Sequence, residues 1–271
     1  TSFFKDNKYT DIFKSKNLVL ATGGLGYPTL GATGDGYIFA ESFGHTITQT
    51  SPAMMPLFTK EKNFASCKAD TIAKAILKVN IPKYKNLKLT GDLIFTKEGL
   101  RGPVILDFAR EITPILEKYD EVPLLINFLK GKNEEDIFQH LKNEIAKNPQ
   151  NTILQNLETL LASSVSKEIL NICEIDENLR FKQIEGLKRE KLIKTLAWTP
   201  FTIVGHDGFR QAMITRGGVS LKEIEQKTMQ SKILQGLYFC GELVDIDGPC
   251  GGYNLQWSFS SGFLAGKLNK N

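Results

Sequence analysis

The sequence is poor in the residues that build metal centres and disulfide frameworks. Its 271 residues include four cysteines and three histidines. No two cysteines form a CxxC pair and the histidines do not cluster with them, so we expect no zinc site, no iron–sulfur site and no other bound metal. The cysteines also lack the spacing of a disulfide framework, which favours a reducing compartment and predicts a cytoplasmic protein.

Long apolar runs and a phosphate fingerprint are missing as well. No apolar run approaches the length of a membrane-spanning helix and no leader opens the chain, so we expect no membrane association. The nearest candidate for a phosphate loop, residues 24–29, lacks the third glycine of GxGxxG. Because the chain begins at Thr1 rather than Met, an absent N-terminal part is one explanation that we leave open.

Positive charge is concentrated in one region. The net charge is +4, yet residues 51–130 carry thirteen basic and nine acidic residues, whereas the other regions are nearly balanced. The excess comes mostly from Lys68, Lys74, Lys78, Lys83, Lys85 and Lys88. One interpretation is a solvated face, and the other is a surface for an acidic or phosphate-bearing partner.

The order of prolines and predicted elements suggests an insertion. Pro52 and Pro56 predict that the first domain is interrupted near residue 51, and strand patterns return after Pro200. Between these boundaries, residues 72–79 fit a strand or, less well, a helix. Pro103 predicts the start of a helix that runs to Glu111. Residues 131–197 show apolar residues at helical spacing, which we expect in the core. His206-Asp207 is interpreted as a hairpin tip, with a proton shuttle as the alternative.

The C-terminal 35 residues predict a cofactor site. Residues 237–242 form an apolar strand that ends at Glu242, a glycine-rich loop follows to Gly252, and a helix begins near Tyr253. This order places a carboxylate at a strand end and free N–H groups at a helix start, which suits a nucleotide cofactor. Cys250 lies in the loop, either as a structural residue or near the chemistry.

Several runs together resemble a known family. Residues 18–24 and 236–242 are similar to two FAD-binding segments of two-dinucleotide-binding flavoproteins. More closely, the chain resembles the BaiN/RdsA-like (aminoacetone-oxidase-like) NAD(P)/FAD-dependent oxidoreductases. The runs that carry this resemblance are 21–24, 31–37, 99–103, 215–219, 248–254 and 261–262. Members of this family begin with a GxGxxG segment, which this chain lacks.

The resemblance implies an α/β fold, in which a partial FAD-binding, Rossmann-like domain is interrupted by an insert with a β-barrel-like part and a helical part. The implied segments are the first part of the FAD domain (1–50), the barrel-like insert (51–130), the helical insert (131–199), return strands (200–214) and the C-terminal part of the FAD domain (215–271).

The resemblance also implies roles for single residues. Glu242 would bind ribityl hydroxyls, Gly23 and Gly24 would let the backbone approach FAD, and N–H groups near Gly252 would face the flavin N1/O2 edge. The full set of cofactor-binding candidates is Ala21, Thr22, Gly23, Gly24, Thr33, Gly34, Asp35, Gly241, Glu242, Asp245, Gly251, Gly252, Tyr253, Asn254 and Leu255. No catalytic residue stands out; weak candidates are Cys250, Tyr253, Arg101 and Arg216.

The expected function is hydride transfer between NAD(P)H, FAD and an unsaturated or amine substrate. The resemblance offers a ribosomal RNA uridine, a steroid-like enone or a small amino-ketone, and the lysine-rich region leans toward RNA. The alternative is a flavin-free homologue that acts as an RNA- or protein-binding module. Because the phosphate loop is missing, we expect the 271-residue chain alone to retain FAD poorly and to be inactive. The sequence gives no oligomeric state.

Overall fold

The chain folds into two units. The structure, a computed structural model, describes residues 2–5, 8–68 and 70–268. The split unit consists of Thr1–Ala53 and Gly208–Asn271, and the barrel unit is Met54–Asp207. Residues 51–53 and 208–214, which the sequence assigns to the insert, group with the split unit.

The secondary structure alternates between strands and helices within the described ranges. The strands are β1 (Ser2–Lys5), β2 (Lys8–Ile12), β3 (Leu18–Leu20), β4 (Ile47–Ala53), β5 (Leu57–Thr59), β6 (Thr71–Val79), β7 (Lys88–Phe95), β8 (Gly99–Arg101), β9 (Val122–Asn127), β10 (Thr199–His206), β11 (Ile214–Val219) and β12 (Leu237–Phe239). The helices are α1 (Asp35–Ser42), α2 (Pro103–Tyr119), α3 (Glu134–Lys147), α4 (Ile153–Leu157), α5 (Ser163–Ile172), α6 (Gly186–Ala197) and α7 (Tyr253–Gly266).

The split unit contains three two-stranded sheets. β3 and β12 run parallel, β4 and β11 run antiparallel, and β1 pairs antiparallel with β2. The turn predicted at Asp6-Asn7 lies outside the described residues. The core forms where α1 and α7 cover the parallel pair; it includes Leu20, Ala40, Val219, Leu237, Phe239 and Ala265. This arrangement is Rossmann-like, as the sequence motifs implied.

The barrel unit is built on a closed six-stranded barrel. Its strands follow the order β10-β5-β8-β7-β6-β9, and every pair that the register defines is antiparallel. Four phenylalanines, Phe64, Phe95, Phe128 and Phe201, contact one another in its core, with ring centroids 5.0–6.5 Å apart. Closure removes the open strand edges that invite aggregation.

Helices α3 to α6 occupy residues 134–197, as the helical stripes predict. Asn133 caps α3, because its side chain accepts from the N–H of Asp136 at 2.8 Å while the Asp136 carboxylate accepts from the N–H of Asn133. Ile137 and Leu141 are fully buried. One stripe residue was wrongly assigned to the core: Leu187 is 73% exposed, because it lies in the first turn of α6 on the solvent side.

Three local predictions have clear outcomes. Residues 71–79 form strand β6, so the strand interpretation is confirmed. The helix predicted from Pro103 to Glu111 continues through Pro114 to Tyr119, since its apolar face remains buried to Leu116. The hairpin tip at 205–208 was wrong: β10 pairs with β5 and β9, whereas β11 pairs with β4 in the other unit.

Two kinds of feature are absent from the part of the chain that the structure describes. Within residues 2–5, 8–68 and 70–268, no helix combines the length and apolar character needed to cross a membrane. The same residues contain no cluster of three or more His, Cys, Asp or Glu side chains placed to hold a metal ion.

Candidate functional site

Two parallel strands end side by side in the split unit. β3 and β12 pair with Leu18 opposite Leu237 and Leu20 opposite Phe239. The backbone N–H of Cys240 then donates to the carbonyl of Leu20 at 3.1 Å. Residues 21–24 and 240–242 therefore leave the sheet at the same edge. In open α/β sheets this carboxyl edge is where ligands bind.

The carboxylate of Glu242 lies at this edge. Its Oε1 atom accepts a hydrogen bond from the backbone N–H of Thr215 at 2.6 Å, and the Thr215 hydroxyl accepts from the N–H of Leu25 at 2.8 Å. Glu242 is half-buried. Its second oxygen, Oε2, has no hydrogen-bond partner among the residues that the structure describes. The protein thus fixes one oxygen, while the other remains an acceptor for a hydroxyl or an amide.

Glycine is required where residues 22–24 pack against Glu242, Thr215 and the start of α1. A Cβ atom at Gly24 would collide with the Glu242 carboxylate and the Thr215 hydroxyl, and one at Gly36 would collide with the Thr22 hydroxyl. The packing of the protein itself therefore explains Gly24, whereas the resemblance attributed this glycine to the approach of the cofactor. Gly23 differs, because its φ is +76° and a Cβ there would meet nothing within 4 Å.

Tyr37 lies beneath the carboxylate. Its side chain on α1 is buried, and its hydroxyl donates to the backbone carbonyl of Glu242 at 3.4 Å. Burial raises the pKa of this phenol, the negative charges of Glu242 and Asp245 raise it further, and a hydrogen bond with Thr215 opposes them. The phenol therefore stays protonated at neutral pH and acts as a donor.

The glycine-rich loop is held by the helix that follows it. The side chain of Asn254 accepts from the N–H of Gly248 at 2.8 Å and donates to its carbonyl at 2.9 Å. Helix α7 begins after Gly252, whose φ of 89° lies in the left-handed region and which has no side chain to cap the helix. The first turn of this 14-residue helix carries the positive end of the helix dipole.

Two further side chains of α7, besides that of Asn254, fix the end of β12. The indole N–H of Trp257 donates to the carbonyl of Gly241 at 2.9 Å, and the hydroxyl of Ser261 accepts from the Gly241 N–H at 2.9 Å. Both backbone polar groups of Gly241 are thereby satisfied. Since Glu242 follows directly, these contacts position its carboxylate relative to α7.

The other sequence candidates fall into three groups. Thr33, Gly34 and Asp35 lie at the start of α1, where Gly34 is the N-cap with a φ of 78°. Ala21, Thr22, Gly251, Gly252, Tyr253 and Leu255 are exposed around the loop ends, and Asp245 and Cys250 are half-buried. Arg216 lies on β11 of the split unit, whereas Arg101 is an exposed residue at the end of β8 in the barrel unit.

Sequence reasoning gave no role to Thr215, Tyr37 or Trp257. Thr215 and Tyr37 lie within runs that resemble the flavoprotein family, so the resemblance carried a signal for both. No local sequence pattern indicated a role for Trp257, because that role depends on a contact with a residue sixteen positions earlier.

Another buried cluster in the split unit was missed as well. The Nε2 atom of His45 lies 2.8 Å from the Ser231 hydroxyl, and its Nδ1 atom lies 3.3 Å from the Glu223 carboxylate. The Ser231 oxygen already accepts from the N–H groups of Ile233 and Leu234. Its proton is therefore directed to Nε2, and the neutral imidazole carries its proton on Nδ1, toward Glu223. Burial lowers the pKa of His45, against the opposing effect of Glu223.

The arrangement around Glu242 combines acceptors and donors at one edge. It offers a carboxylate oxygen, an open glycine backbone at Gly23 and the positive end of a helix dipole near Tyr253. A ligand with hydroxyl groups and an electron-rich edge would find a partner for each. A ribityl chain and the N1/O2 edge of a flavin have this chemistry, so the residues present fit FAD at its flavin end.

Comparisons with known proteins identify the family and several relatives. The family described as "HI0933-like protein Rossmann domain" matches residues 2–268. The chain is 30% identical to a 3-dehydro-bile acid delta(4,6)-reductase from Clostridium scindens over 94% of its length. It is 32% identical to a ribosomal RNA dihydrouridine synthase from Haemophilus influenzae over 93% of its length, and 31% identical to one from Escherichia coli over 91%.

These alignments cover 62%, 59% and 58% of the three relatives, so the chain spans about three fifths of their length. The runs that carry the sequence resemblance lie at the ends of β3 and β12, at the start of α1, in β8 and β11, and at the start and in the middle of α7. The chain belongs to the HI0933-like (BaiN/RdsA-type) Rossmann family.

Proposed function

We propose that the split unit forms the flavin end of an FAD site in an oxidoreductase that transfers hydride between NAD(P)H, FAD and an unsaturated or amine substrate. The observation that carries this proposal is the position of Glu242: one carboxylate oxygen is fixed by Thr215 and the other is open, at the carboxyl edge of two parallel strands. Membership of a family whose relatives include a reductase supports the same class of chemistry.

The residues of this chain would bind and orient the cofactor. Glu242 Oε2 would accept from ribityl hydroxyls, and the N–H groups at the start of α7 would face the N1/O2 edge. When bound, FAD supplies the two-electron chemistry. Tyr37, kept protonated by burial and by nearby carboxylates, would hold the Glu242 backbone rather than release its proton.

Three substrate classes fit this proposal: a ribosomal RNA uridine, a steroid-like enone and a small amino-ketone. The names of the three relatives denote reduction of a bile acid and formation of dihydrouridine in ribosomal RNA. Both names describe addition of hydrogen to a carbon–carbon double bond. They favour an unsaturated substrate over an amine.

The visible spectrum of the purified full gene product tests the flavin site. A bound flavin absorbs at about 450 nm, since the isoalloxazine carries the colour. We expect a yellow protein whose flavin is lost in Glu242→Ala and retained in the matched control Glu225→Ala, because Glu225 is an exposed carboxylate of the same unit. A colourless gene product that also fails to bind added FAD would overturn the proposal.

The 271-residue chain alone offers a second comparison. Its sequence has no GxGxxG run to hold the pyrophosphate. We therefore expect added FAD to bind the chain weakly, with an affinity close to that of riboflavin. Tight stoichiometric binding of FAD over riboflavin, followed by flavin fluorescence, would reveal a phosphate site elsewhere in the chain.

A flavin-free binding module is the second candidate function. The observation that favours it is the run of residues 71–91, which contains five lysines and no acidic residue. In this case the full gene product would bind RNA or an acidic protein and remain colourless after FAD is added. The spectrum described above separates the two candidates.

A further inference from the structure

A surface of the barrel unit combines lysines with aromatic rings. We call it the lysine–tyrosine surface and define it by Lys78, Lys83, Lys85, Lys88, Lys118, Tyr84, Tyr119 and Trp198. Lys78 lies on β6, Lys88 begins β7, and residues 82–84 form a short helical turn in the connection between these strands. Lys118 and Tyr119 end α2.

The aromatic rings are in contact with the lysines. The Tyr84 and Tyr119 rings lie 6.2 Å apart in an edge-to-face arrangement. The Lys83 ammonium lies 5.6 Å from the Tyr84 ring and the Lys118 ammonium 5.3 Å from the Tyr119 ring. Lys83, Tyr84, Tyr119 and Lys118 thus form a continuous strip, in which Tyr119 is 38% exposed.

Two lysines face each other across neighbouring strands. Lys78 on β6 is directly opposite Lys88 on β7 in the antiparallel register, so both side chains project from the same face. The Lys78 ammonium lies 3.7 Å from the Trp198 ring. Like charges directly opposite on a sheet are destabilising. A polyanion bound at this face would relieve that repulsion.

These lysines have no ion-pair partner among the residues that the structure describes, in contrast to Lys60 and Lys62 of the same unit. Lys60 pairs with Glu121 at 3.1 Å and Lys62 with Glu98 at 3.4 Å. Within the described residues, none of the five lysines of the surface forms an ion pair. Three acids lie close to it in sequence: Glu121 pairs with Lys60, Glu117 interacts with His206, and Asp120 directly follows Tyr119. The five lysines outnumber these acids, so the surface has an excess of positive charge.

We propose that the lysine–tyrosine surface binds single-stranded RNA. Lysines that are unpaired and evenly spread attract the phosphate backbone without regard to sequence. Tyrosine rings beside them provide faces on which unpaired bases stack, and this combination is typical of single-strand binding. The choice of RNA over DNA rests on the proposed function, in which a ribosomal RNA uridine is one substrate.

A binding measurement without flavin tests this inference separately from the flavin site. Fluorescence anisotropy of a labelled single-stranded RNA of mixed sequence would be followed with the intact chain as salt is raised. We expect binding that weakens steeply with salt. The Lys83→Gln/Lys85→Gln/Lys88→Gln variant should bind roughly tenfold or more weakly and lower the salt slope by about two, since each phosphate contact in a single strand contributes about 0.7 to that slope.

The matched control removes three lysines elsewhere. Lys142, Lys182 and Lys227 are exposed and, among the described residues, form no ion pair, so their replacement by glutamine changes the net charge equally. The Tyr84→Leu/Tyr119→Leu variant should weaken RNA binding about tenfold while leaving the salt slope unchanged, because stacking rather than charge is lost.

Three outcomes would overturn the inference. These are no RNA binding by the parent chain, an equal loss in the control lysine variant, and binding to anionic vesicles or to an acidic protein in place of RNA. RNA binding that persists in a Glu242→Ala chain, together with a colourless gene product, would overturn the proposed flavin function and leave this surface standing. A yellow gene product that does not bind RNA would overturn the proposal for the lysine–tyrosine surface and leave the proposed flavin function standing.

Discussion

The Oε1 atom of Glu242 lies 2.6 Å from the backbone nitrogen of Thr215, and both groups close over Gly24. This contact joins β11 to the end of β12 and leaves the other carboxylate oxygen open. Because one oxygen of Glu242 is already fixed, the side chain needs little rearrangement when a ligand binds the other oxygen. Glu242 is therefore a preorganised acceptor. The contact between Glu242 and Thr215 therefore affects both the stability of the split unit and the proposed affinity for FAD, and both can be measured.

Replacement of Glu242 by alanine in the full gene product should weaken FAD binding. Loss of a hydrogen bond to a charged group costs about 1.5–3 kcal/mol, which corresponds to roughly tenfold to a hundredfold in affinity. The change also removes the acceptor of the Thr215 N–H, so the melting temperature of the flavin-free protein must be recorded beside the dissociation constant. Glu242→Gln keeps the shape and should fall between. An unchanged FAD affinity in Glu242→Ala would refute the assignment.

Gly24→Ala should destabilise the split unit. The added methyl group meets the Glu242 carboxylate and the Thr215 hydroxyl, and forcing extra volume into a packed site costs about 1–3 kcal/mol. Gly262→Ala is the control, because a Cβ at this position in α7 meets nothing within 4 Å; it should be neutral or stabilising by up to about 1 kcal/mol. Denaturant unfolding measures both. Equal stability of the two variants would contradict the close approach.

Acidification should destabilise the split unit through His45. Burial lowers the pKa of His45 in the folded protein below its ordinary value of about 6.5. The unfolded chain therefore takes up the proton first, and stability that is present above about pH 6.5 is lost as pH falls through the lowered pKa. His45→Gln should reduce this loss.

Hydrogen exchange of β4 and β11 amides above and below this pH would measure the effect. His206→Gln is the matched comparison, since burial lowers the pKa of His206 as well but in the barrel unit. If His45→Gln leaves the pH dependence of β4 and β11 unchanged, the imidazole is not the group responsible.

Limited trypsin digestion should cut first near the boundary between the units. Arg210 is exposed in a short helical turn just after Asp207, where the barrel unit ends. Exposed turns are nicked before paired strands. Mass spectrometry of the early fragments should identify cleavage after Arg210, while Lys74 and Lys78 in β6 and Lys88 in β7 remain uncut. Early cleavage after any of these three lysines would mean that the barrel is not a stable unit.

The isolated 271-residue chain should self-associate through α7. Leu255, Phe259 and Phe263 are spaced four residues apart, so they share one side of the helix, and they are 65%, 71% and 67% exposed. Burying each side chain contributes about 1.5–3 kcal/mol. Phe259→Ser/Phe263→Ser should therefore weaken association at least roughly tenfold in light scattering. Leu187→Ser, a change at a 73% exposed residue of the barrel unit, should have no effect; equal effects would contradict a role for α7.

The sequence by itself determined the local features of the site. Apolar runs ending on glycine predicted β3 and β12, and the glycine-rich loop predicted the start of α7 near Tyr253. Asn133 and three acidic residues predicted the start of α3. These signals are local, because strand period, turn chemistry and helix caps act over only a few residues. The family motifs added the Rossmann-like fold and the interruption by an insert.

Only the tertiary structure decided which distant segments meet. A common hairpin was predicted for β10 and β11, but β10 closes the barrel while β11 pairs with β4. It left Thr215 without a role, although that residue fixes Glu242 from 27 positions away, and it carried no sign that His45 meets Ser231, 186 positions later. Strand pairing and buried hydrogen bonds depend on register and close packing between segments far apart in the chain, and no periodicity along a single segment encodes them.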